Sequence, residues 1–338
     1  VNEGHGLNMA AINHFKHQGV KVIVTVDCGI TSDREVRMAN SMGIDTIITD
    51  HHLPISVIPD AIAVVNPKLE HASYPFSGLS GAGLAFKLIQ ALYIELGLDW
   101  DESLLQLAAV GTITDITPMI KENRFIVARG LASMDSNPKP GFAKLLQTSG
   151  NRSTTLDTES ISFSIGPRIN AASRVGSPMV SYDLLRAPSL EVAAPLAKEL
   201  ESFNRRRRGI TDEAMRVASE QVDMQIAEEK ILVIASEQFH PGVIGLIASR
   251  LVEDYYRPAV VIALDQEIGR ASARSIPEFN IAAAIQESQD LFIQYGGHAQ
   301  AAGFIIPRAN LSKLKNQLRN KARLELMEVA LQPSISID

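Results

Sequence analysis

The stretch that decides the fold is VKVIVTVDCGITSDREVRMANSMGIDTIITDHH, residues 20–52. Residues 20–26 are a run of apolar, β-branched side chains, which is typical of a strand buried on both faces. A helix is predicted over residues 32–42, with Thr31 or Ser32 as its N-cap. Residues 44–49 predict a second buried strand. Strand, helix and strand in this order indicate a parallel sheet with right-handed crossovers.

The same alternation continues along the chain. A third strand is predicted over residues 61–65, followed by helices over residues 79–96 and 102–113. An irregular segment rich in Arg and Asn spans residues 165–176. A long polar helix follows from residue 190 to about residue 228, and its four consecutive arginines are interpreted mainly as a solvated face. The last third predicts strands at residues 230–235, 259–264, 268–272 and 303–306, and helices at residues 243–253, 281–287 and 312–329.

This order predicts an α/β fold, in which a parallel-sheet domain is joined by a long helix to a smaller α/β domain. A length of 338 residues also favours two domains. The net charge of -6 gives no overall signature of polyanion binding, so any nucleic-acid contact would depend on local basic patches. The single cysteine, Cys28, fits a reducing cytoplasm. No run approaches the roughly 18–20 apolar residues that span a membrane.

Acidic and histidine side chains follow the first two predicted strands. Asp27 comes directly after the first strand, and the run Asp50-His51-His52 comes directly after the second. Because the carboxyl ends of neighbouring parallel strands meet at one edge, these side chains are expected to converge. With Asp115, which follows a predicted helix, they form a ligand set suited to Mn, Zn or Fe. The alternative, which stays open, is that the acids are turn or cap residues and the histidines lie on the surface.

Three later segments are candidates for phosphate contact. Residues 296–303 (GGHAQAAG) would let backbone N–H groups approach a phosphate, or would form a tight turn before a strand. Residues 270–275 (RASARS) offer a guanidinium with neighbouring hydroxyls. Residues 167–174 (PRINAASR) offer two arginines to a polyanion. The candidate residues are Arg168, Asn170, Arg174, Ser272, Arg274, Gly296, Gly297 and His298.

Taken together, the motifs resemble those of the DHH phosphoesterases and, within them, the RecJ-type single-strand-specific exonucleases. VDCGIT, which contains Asp27, looks like the second acidic motif, and TDHH at residues 49–52 matches the motif that names the family. GTITD, ending at Asp115, looks like the later aspartate motif. PRINAASR is similar to the signature between the domains. GRASARS and YGGHAQAAG look like the two phosphate-binding motifs of the DHH-associated domain. The resemblance covers nearly the whole chain, with the motifs in the expected order.

The resemblance implies a two-metal phosphodiesterase, usually dependent on Mn²⁺ with Mg²⁺ as the alternative, that removes nucleotides from the 5′ end of single-stranded DNA in repair and recombination. It implies Asp27, His51 and Asp115 as metal ligands, with Asp50, His51 and His52 catalytic and one histidine on the scissile phosphate. It also implies a cytoplasmic monomer that works with a single-strand-binding protein and a helicase. Two alternatives are a phosphodiesterase for short oligonucleotides or cyclic dinucleotides, and an inactive fragment that only binds nucleic acid.

The resemblance sets the expected domain boundaries. These are residues 1–188 for the DHH domain, 189–228 for the connecting helix, 229–331 for the DHH-associated domain and 332–338 for the entry to an OB-fold. The family's first acidic motif has no counterpart after Val1, and Ser173 stands where the family often has glycine. Both ends of the chain are therefore expected to be cuts through a longer protein.

Overall fold

The computed structural model describes residues 6–54, 57–150, 155–224, 226 and 228–333. The chain divides into two compact units. The first consists of Val1–Ala172 with Ser177–Ser202, and the second of Ser173–Gly176 with Phe203–Asp338.

The first unit contains the predicted parallel sheet. Its strands are β1 (Val22–Val26), β2 (Asp45–Thr49) and β3 (Ala63–Val65), in the order β1-β2-β3. Helices α1 (Met9–His17) and α2 (Asp33–Ser41) accompany it. A small apolar core joins these elements through Ile12, Ile23, Ala39 and Ile44.

The remainder of the first unit is helical. The predicted helices appear as α3 and α4, whereas α5, α6 and α9 were not predicted. A one-turn π-helix at Ile161–Ile165 precedes α8. Helices α8 and α10 continue into the second unit. The bounds are α3 Gly81–Glu95, α4 Leu104–Thr114, α5 Lys121–Ser136, α6 Pro140–Ser149, α7 Thr158–Ser160, α8 Gly166–Val175, α9 Pro178–Leu185 and α10 Leu190–Asp223.

The prediction that the first strand is buried on both faces is wrong. Burial alternates along β1, so that Ile23 and Thr25 point inward. The outward side chains are 47–53% exposed and belong to Val22, Val24 and Val26. Among the described residues, the apolar run of β1 therefore has one packed face and one open face.

The prediction that residues 165–176 are irregular is also wrong, because ten of them form α8. Pro167 lies just after the π-helix at Ile161–Ile165, so the proline, which lacks an N–H, lies where the regular α-helical hydrogen-bond pattern is already interrupted. The buried positions Ile165, Arg168, Ala171 and Val175 follow helical spacing. An arginine at one of the buried positions conceals this period in the sequence.

The second unit is built on a five-stranded mixed sheet of order β4-β5-β6-β8-β7. Its first two strands are parallel and the other pairs antiparallel. The sequence did not predict β7, whose Gly-rich QYGGH forms a strand by pairing with β8. The elements are β4 Leu232–Ser236, α11 Ile244–Tyr255, β5 Ala259–Leu264, β6 Ile268–Arg274, α12 Ile281–Gln286, β7 Gln294–His298, β8 Ala301–Pro307 and α13 Leu311–Glu325, with 3₁₀ turns at Gln289–Leu291 and Arg308–Asn310.

The α/β class expected from the sequence is confirmed, with a parallel sheet in one unit and a second sheet in the other. Within the described ranges, no helix combines the length and the apolar character needed to cross a bilayer. The expected OB-fold entry falls largely on residues 334–338, which lie outside the described residues.

Candidate metal centre and phosphate-binding face

The loops after β1 and β2 bring the predicted acidic and histidine residues together. In the register of these strands Val26 is opposite Thr49, so Asp27 and Asp50 leave the sheet at the same edge. Asp115, the C-cap of α4, reaches the same place from a different part of the chain. The convergence expected from the strand ends is therefore present.

His51 lies at the middle of this cluster. Its ring is buried, with Nδ1 3.0 Å from the carbonyl oxygen of Leu79. Since that carbonyl only accepts, Nδ1 carries the proton and donates it, leaving the Nε2 lone pair available. Nε2 lies 3.1 Å from Asp27 Oδ1 and 3.6 Å from Asp115 Oδ2.

While Nδ1 carries the only proton, the buried Nε2 of His51 forms no hydrogen bond within the described residues, and it can bond to Asp27 only when it is itself protonated. A lone pair that faces two carboxylates is unfavourable unless a cation or a proton lies between them. Hydrogen bonding to Asp27 accordingly raises the pKa of His51, against the effect of burial. Burial raises the pKa of Asp115, and the charge of Asp27 adds to that shift. The cluster is thus short of positive charge.

Asp50 holds the loop rather than facing the cluster. Its Oδ2 accepts from the N–H of Ile30 at 2.9 Å. Its Oδ1 accepts from the N–H groups of His51 at 2.8 Å and His52 at 3.1 Å. Burial opposes the carboxylate charge, but these hydrogen bonds outweigh burial and lower the pKa of Asp50. Asp50 therefore positions both histidines.

His52 is the exposed member of the pair. Its Nδ1 lies 2.7 Å from Asp50 Oδ1, which orients the ring, and its backbone carbonyl accepts from Asn66 Nδ2 at 2.9 Å. The two imidazole centroids are 4.6 Å apart. Because its side chain is largely exposed, His52 is the histidine that an incoming substrate can reach.

Asp27 adopts a left-handed backbone conformation, with φ of 64°. Aspartate tolerates this region better than most residues, and here it turns the carboxylate toward His51. The carboxylate lies over Gly81, the first residue of α3, where a Cβ atom would come within 2.1 Å of Oδ1. The N–H groups at this helix end favour a negative charge beside them.

The cluster fits a divalent metal ion. Ligand atoms of Asp27, His51 and His52 all lie within 4.8 Å of one another. Oxygen and imidazole donors without a thiolate suit Mn, Fe or Zn, and the exposed side of the cluster leaves room for water or substrate. His51, fixed by the Leu79 carbonyl, has the outer hydrogen bond that metal-bound histidines usually have.

Sequence reasoning missed Leu79, Gly81 and Asn66, which shape this centre. Leu79 acts through its backbone, so its side chain gives no signal. Gly81 lies in SGAG, a run of small residues before an apolar helix. Such a run indicates that another element approaches the backbone closely, but it does not identify that element. Asn66 follows β3 and shows only as a polar residue after a strand.

In the second unit, the sheet register groups several predicted phosphate contacts on one face. Ser272, Gly303 and Gly296 lie side by side on β6, β8 and β7. Two residues further along these strands, Arg274, Ala301 and His298 form a second row. Both rows point to the same face of the sheet, because directly paired residues share a face and side chains alternate with a period of two along each strand. We call these six residues the phosphate face.

One end of the phosphate face meets the N-terminus of α11. A Cβ atom at Gly245 would lie 3.2 Å from Ser272 Oγ and 3.5 Å from an Arg274 nitrogen. Arg274 Nη1 donates to Ser272 Oγ at 3.1 Å and to the Ala273 carbonyl at 2.8 Å. Guanidinium, hydroxyl and helix N-terminus together form an environment suited to an anion.

Two further arginines of the second unit continue this group, since Arg174 lies near Arg274 and Arg207 lies near Arg174. Arg174 donates to the Gly242 carbonyl at 3.1 Å, and burial together with the charge of Arg274 lowers its pKa. Burial and the charge of Arg174 lower the pKa of Arg207. Among the described residues none of the three forms an ion pair with a carboxylate. Arg205, Arg206 and Arg208 are exposed, as expected for a run interpreted mainly as a solvated face, whereas Arg207 is partly buried.

The remaining predicted contact residues are Gly297, Arg168 and Asn170. Gly297, with φ of 155°, is required by the hairpin, since a Cβ atom there would lie 2.4 Å from the Ala301 carbonyl oxygen. Arg168, in the first unit, is buried and pairs with Glu201 at 2.7 Å. Its exposed neighbour Asn170 also has a polar partner. Arg168 is thus not brought to an open surface.

Comparisons with known proteins agree with the two-unit fold. The DHH family, N-terminal domain, matches residues 5–112, and the DHHA1 domain matches residues 228–323. The crystal structure of RecJ from Thermus thermophilus in complex with Mn²⁺ superposes with a TM-score of 0.84 at 32% identity, covering 94% of this chain and 47% of that one. A structure of exonuclease RecJ bound to manganese has a TM-score of 0.83 at 33% identity, covering 97% and 82%.

Among curated proteins, the single-stranded-DNA-specific exonuclease RecJ of Bacillus subtilis is 36% identical over 338 residues, covering 99% of this chain and 42% of its own length. The RecJ of Escherichia coli is 32% identical over 354 residues, covering 98% and 60%. The chain thus spans about half the length of the curated relatives it matches.

Proposed function

The chain belongs to the RecJ-type branch of the DHH family, and from this premise we propose that it is the nuclease core of a metal-dependent exonuclease acting on single-stranded DNA. The polarity that the family resemblance implies is 5′ to 3′, with nucleotides released during repair and recombination. We likewise propose Mn²⁺ as the working ion with Mg²⁺ as a substitute, a cytoplasmic location, a monomer, and a single-strand-binding protein and a helicase as partners.

One observation carries the proposal: the buried Nε2 of His51 faces Asp27 at 3.1 Å and Asp115 at 3.6 Å, while Leu79 fixes the opposite nitrogen. The relatives whose structures hold manganese are more than 30% identical to the chain. Divalent ions in such a cluster would supply a water nucleophile at neutral pH and neutralise charge on a phosphate.

The residues of the cluster would have three roles: binding the metal ions, positioning the histidines and contacting the substrate. Asp27, His51 and Asp115 hold the ions, and Asp50 keeps both histidines in place through its hydrogen bonds. The exposed His52 ring, whose Nδ1 donates to Asp50, would face the scissile phosphate with Nε2, and a hydrogen bond from Nε2 to a phosphate oxygen would use the doubly protonated ring. Asp50 is therefore a positioning residue, whereas His52 touches the substrate.

The phosphate face and its neighbouring arginines would hold the strand by its backbone. Ser272, Arg274, Arg174 and His298 offer donors to phosphate oxygens without reading bases. Gly296, Ala301 and Gly303 have small side chains or none on this face, so single-stranded DNA could lie close to the backbone of the sheet. For Arg168 and Asn170 we propose a supporting role, since Arg168 already pairs with Glu201.

A nuclease assay with end-labelled substrates tests the proposal. This chain and the complete gene product would be incubated with Mn²⁺ and a 5′- or 3′-labelled single strand, a blunt duplex, or a dinucleotide. We expect mononucleotide release from the single strand, starting at the 5′ end, and little from the duplex. Preferential turnover of the dinucleotide, or strand binding without cleavage in the complete protein, would contradict the proposal.

Matched variants separate chemistry from folding. His52→Gln should abolish most cleavage while leaving strand binding in chelator near wild type, because it removes a substrate contact beside the ions. Arg216→Ala is the control, since Arg216 lies on α10 in exposed pairs with Glu213 and Glu220 and should change neither property. Equal cleavage by the wild type and His52→Gln would rule out the role given to His52.

A further inference from the structure

Four non-glycine residues of the described chain adopt a left-handed backbone, at a conformational cost that increases with branching at Cβ. For three of them the structure shows what the side chain does. Asp27 belongs to the metal cluster. Lys121 lies over the ring of Phe76, 5.9 Å from its centroid. Tyr256 donates from its hydroxyl to Glu278 at 3.1 Å.

Ile116 is the fourth and has no such compensation. Its φ is 54°, although β-branched residues are strongly disfavoured there. Its side chain is 90% exposed, so it packs against almost nothing. The residue directly follows Asp115, whose carboxylate is 3.6 Å from His51 Nε2.

The fold does not need isoleucine to end α4. Four other helices, α1, α2, α3 and α6, end with a glycine in the same left-handed region, at φ of 64–74°. At α4 the Ile116 N–H donates to the Ile113 carbonyl at 3.2 Å, a hydrogen bond that accompanies left-handed helix ends and does not involve the side chain. A glycine or asparagine would make the same turn with less strain.

We infer that Ile116 is a substrate-contacting residue, whose apolar side chain packs against the nucleobase of the nucleotide held at the Asp27–His51–Asp115 cluster. The inference rests on the proposed function. The exposed side chain would become buried against the base, and this burial offsets the strain that nothing within the described chain relieves. Such a contact would be insensitive to base identity, because every nucleobase has an apolar face.

The test compares Ile116→Asn and Ile116→Val with the wild type. Ile94→Asn is the matched control, since Ile94 is 70% exposed and lies near the end of α3 remote from Gly81. Two fluorescent single strands are bound in Mn²⁺, one normal and one abasic at its terminal nucleotides, and both carry phosphorothioate terminal linkages that slow cleavage during the binding measurement. Anisotropy gives the dissociation constant, urea unfolding gives stability, and Mn²⁺-dependent cleavage gives kcat/KM.

Ile116→Asn should unfold at the same or a higher urea concentration, because asparagine tolerates the left-handed region. Its affinity and kcat/KM for the normal strand should fall about fivefold, as expected for losing part of an aliphatic contact. The abasic strand should bind the wild type and Ile116→Asn equally. Ile94→Asn should match the wild type in binding and cleavage, and Ile116→Val should lose less affinity for the normal strand than Ile116→Asn, because it keeps an apolar side chain.

Wild-type behaviour of Ile116→Asn on both strands would overturn the inference alone. An equal loss on the normal and abasic strands would also overturn it, because the side chain would then act on Asp115 rather than on a base. If the wild-type chain bound neither strand, the proposed function and this inference would fail together.

Discussion

The carboxylate of Asp27 lies against Gly81, so closely that a Cβ atom at the glycine would come within 2.1 Å of Asp27 Oδ1 and 2.6 Å of Asp27 Cβ. The glycine therefore sets where the Asp27 carboxylate, a proposed metal ligand, lies, although the glycine offers no side-chain ligand atom of its own. Its place at the first residue of α3 also puts the carboxylate beside the N-terminus of the helix.

Gly81→Ala should displace Asp27 and reduce both Mn²⁺ affinity and cleavage by about 10- to 100-fold, the range seen when supports of a metal site are altered. Mn²⁺ titration by calorimetry and nucleotide release would measure this. Gly209→Ala is the control, because Gly209 lies in α10 with open space around its Cα; it should keep full activity and gain about 0.5–1 kcal/mol of stability. Wild-type metal affinity in Gly81→Ala would refute the role of the close contact.

Asp50→Asn should cost both stability and activity. The amide can keep only one acceptor oxygen where the carboxylate accepts from Ile30, His51 and His52. We expect a loss of about 2 kcal/mol in unfolding free energy, because a buried donor loses its acceptor, with cleavage reduced by about 10- to 100-fold. Urea unfolding and nucleotide release test this, and unchanged stability would show that these hydrogen bonds do not hold the loop.

Stabilisation of the chain by Mn²⁺ should increase with pH. The pKa of His51 is raised by hydrogen bonding to Asp27, and that of Asp115 by burial, so protons compete with the metal at both groups. Without metal, both shifts stabilise the fold at low pH, and the His51 contribution is lost as pH rises above 6.5 through the raised pKa.

Thermal unfolding in Mn²⁺ and in chelator, from pH 5.5 to 8, measures the effect. The difference in Tm should widen with pH, with the apparent affinity rising up to about tenfold per pH unit for each displaced proton. His51→Gln provides the control and should flatten the pH dependence. A difference in Tm that stays constant across this range would mean that the ion does not displace these protons.

Arg274→Ala should weaken single-strand binding at 0.1 M salt by about tenfold and reduce the salt dependence of binding by about one ion. Arg274→Lys should recover only part of this loss, because an ammonium cannot make the forked contact. Arg216→Ala, an arginine paired on the exposed face of α10, should match the wild type. Equal salt slopes for Arg274→Ala and the wild type would exclude a phosphate contact by Arg274.

The sequence predicted the metal cluster better than its supports. The apolar runs identified the strands, and the edge rule for parallel strands placed Asp27 beside His51. Leu79 and Gly81 could not be predicted, because they lie about 28–30 residues after His51 in the chain. Leu79 contributes its backbone carbonyl, and Gly81 contributes the absence of a side chain. No periodic pattern in the sequence shows that the chain comes back to the Asp27–His51 cluster at these residues.

Arginines were the least predictable candidates. Arg168 and Arg174 belong to one short motif, yet Arg168 pairs with Glu201, whereas Arg174 lies near Arg274 and forms no ion pair with a carboxylate of the described part of the chain. Whether an arginine meets a carboxylate 33 residues away depends on tertiary packing, which spacing along the chain does not specify. The same holds for β7, whose glycines become a strand only through β8.

The most direct test of the central claim measures nucleotide release from a single strand against Mn²⁺ concentration for the wild type, His51→Gln and Arg216→Ala. We predict saturable, Mn²⁺-dependent release by the wild type and by Arg216→Ala. The release rate of His51→Gln should be at least about 100-fold lower, since the lone pair of His51 Nε2 is the nitrogen ligand proposed between Asp27 and Asp115. Release by His51→Gln at the wild-type rate and Mn²⁺ dependence would contradict the account.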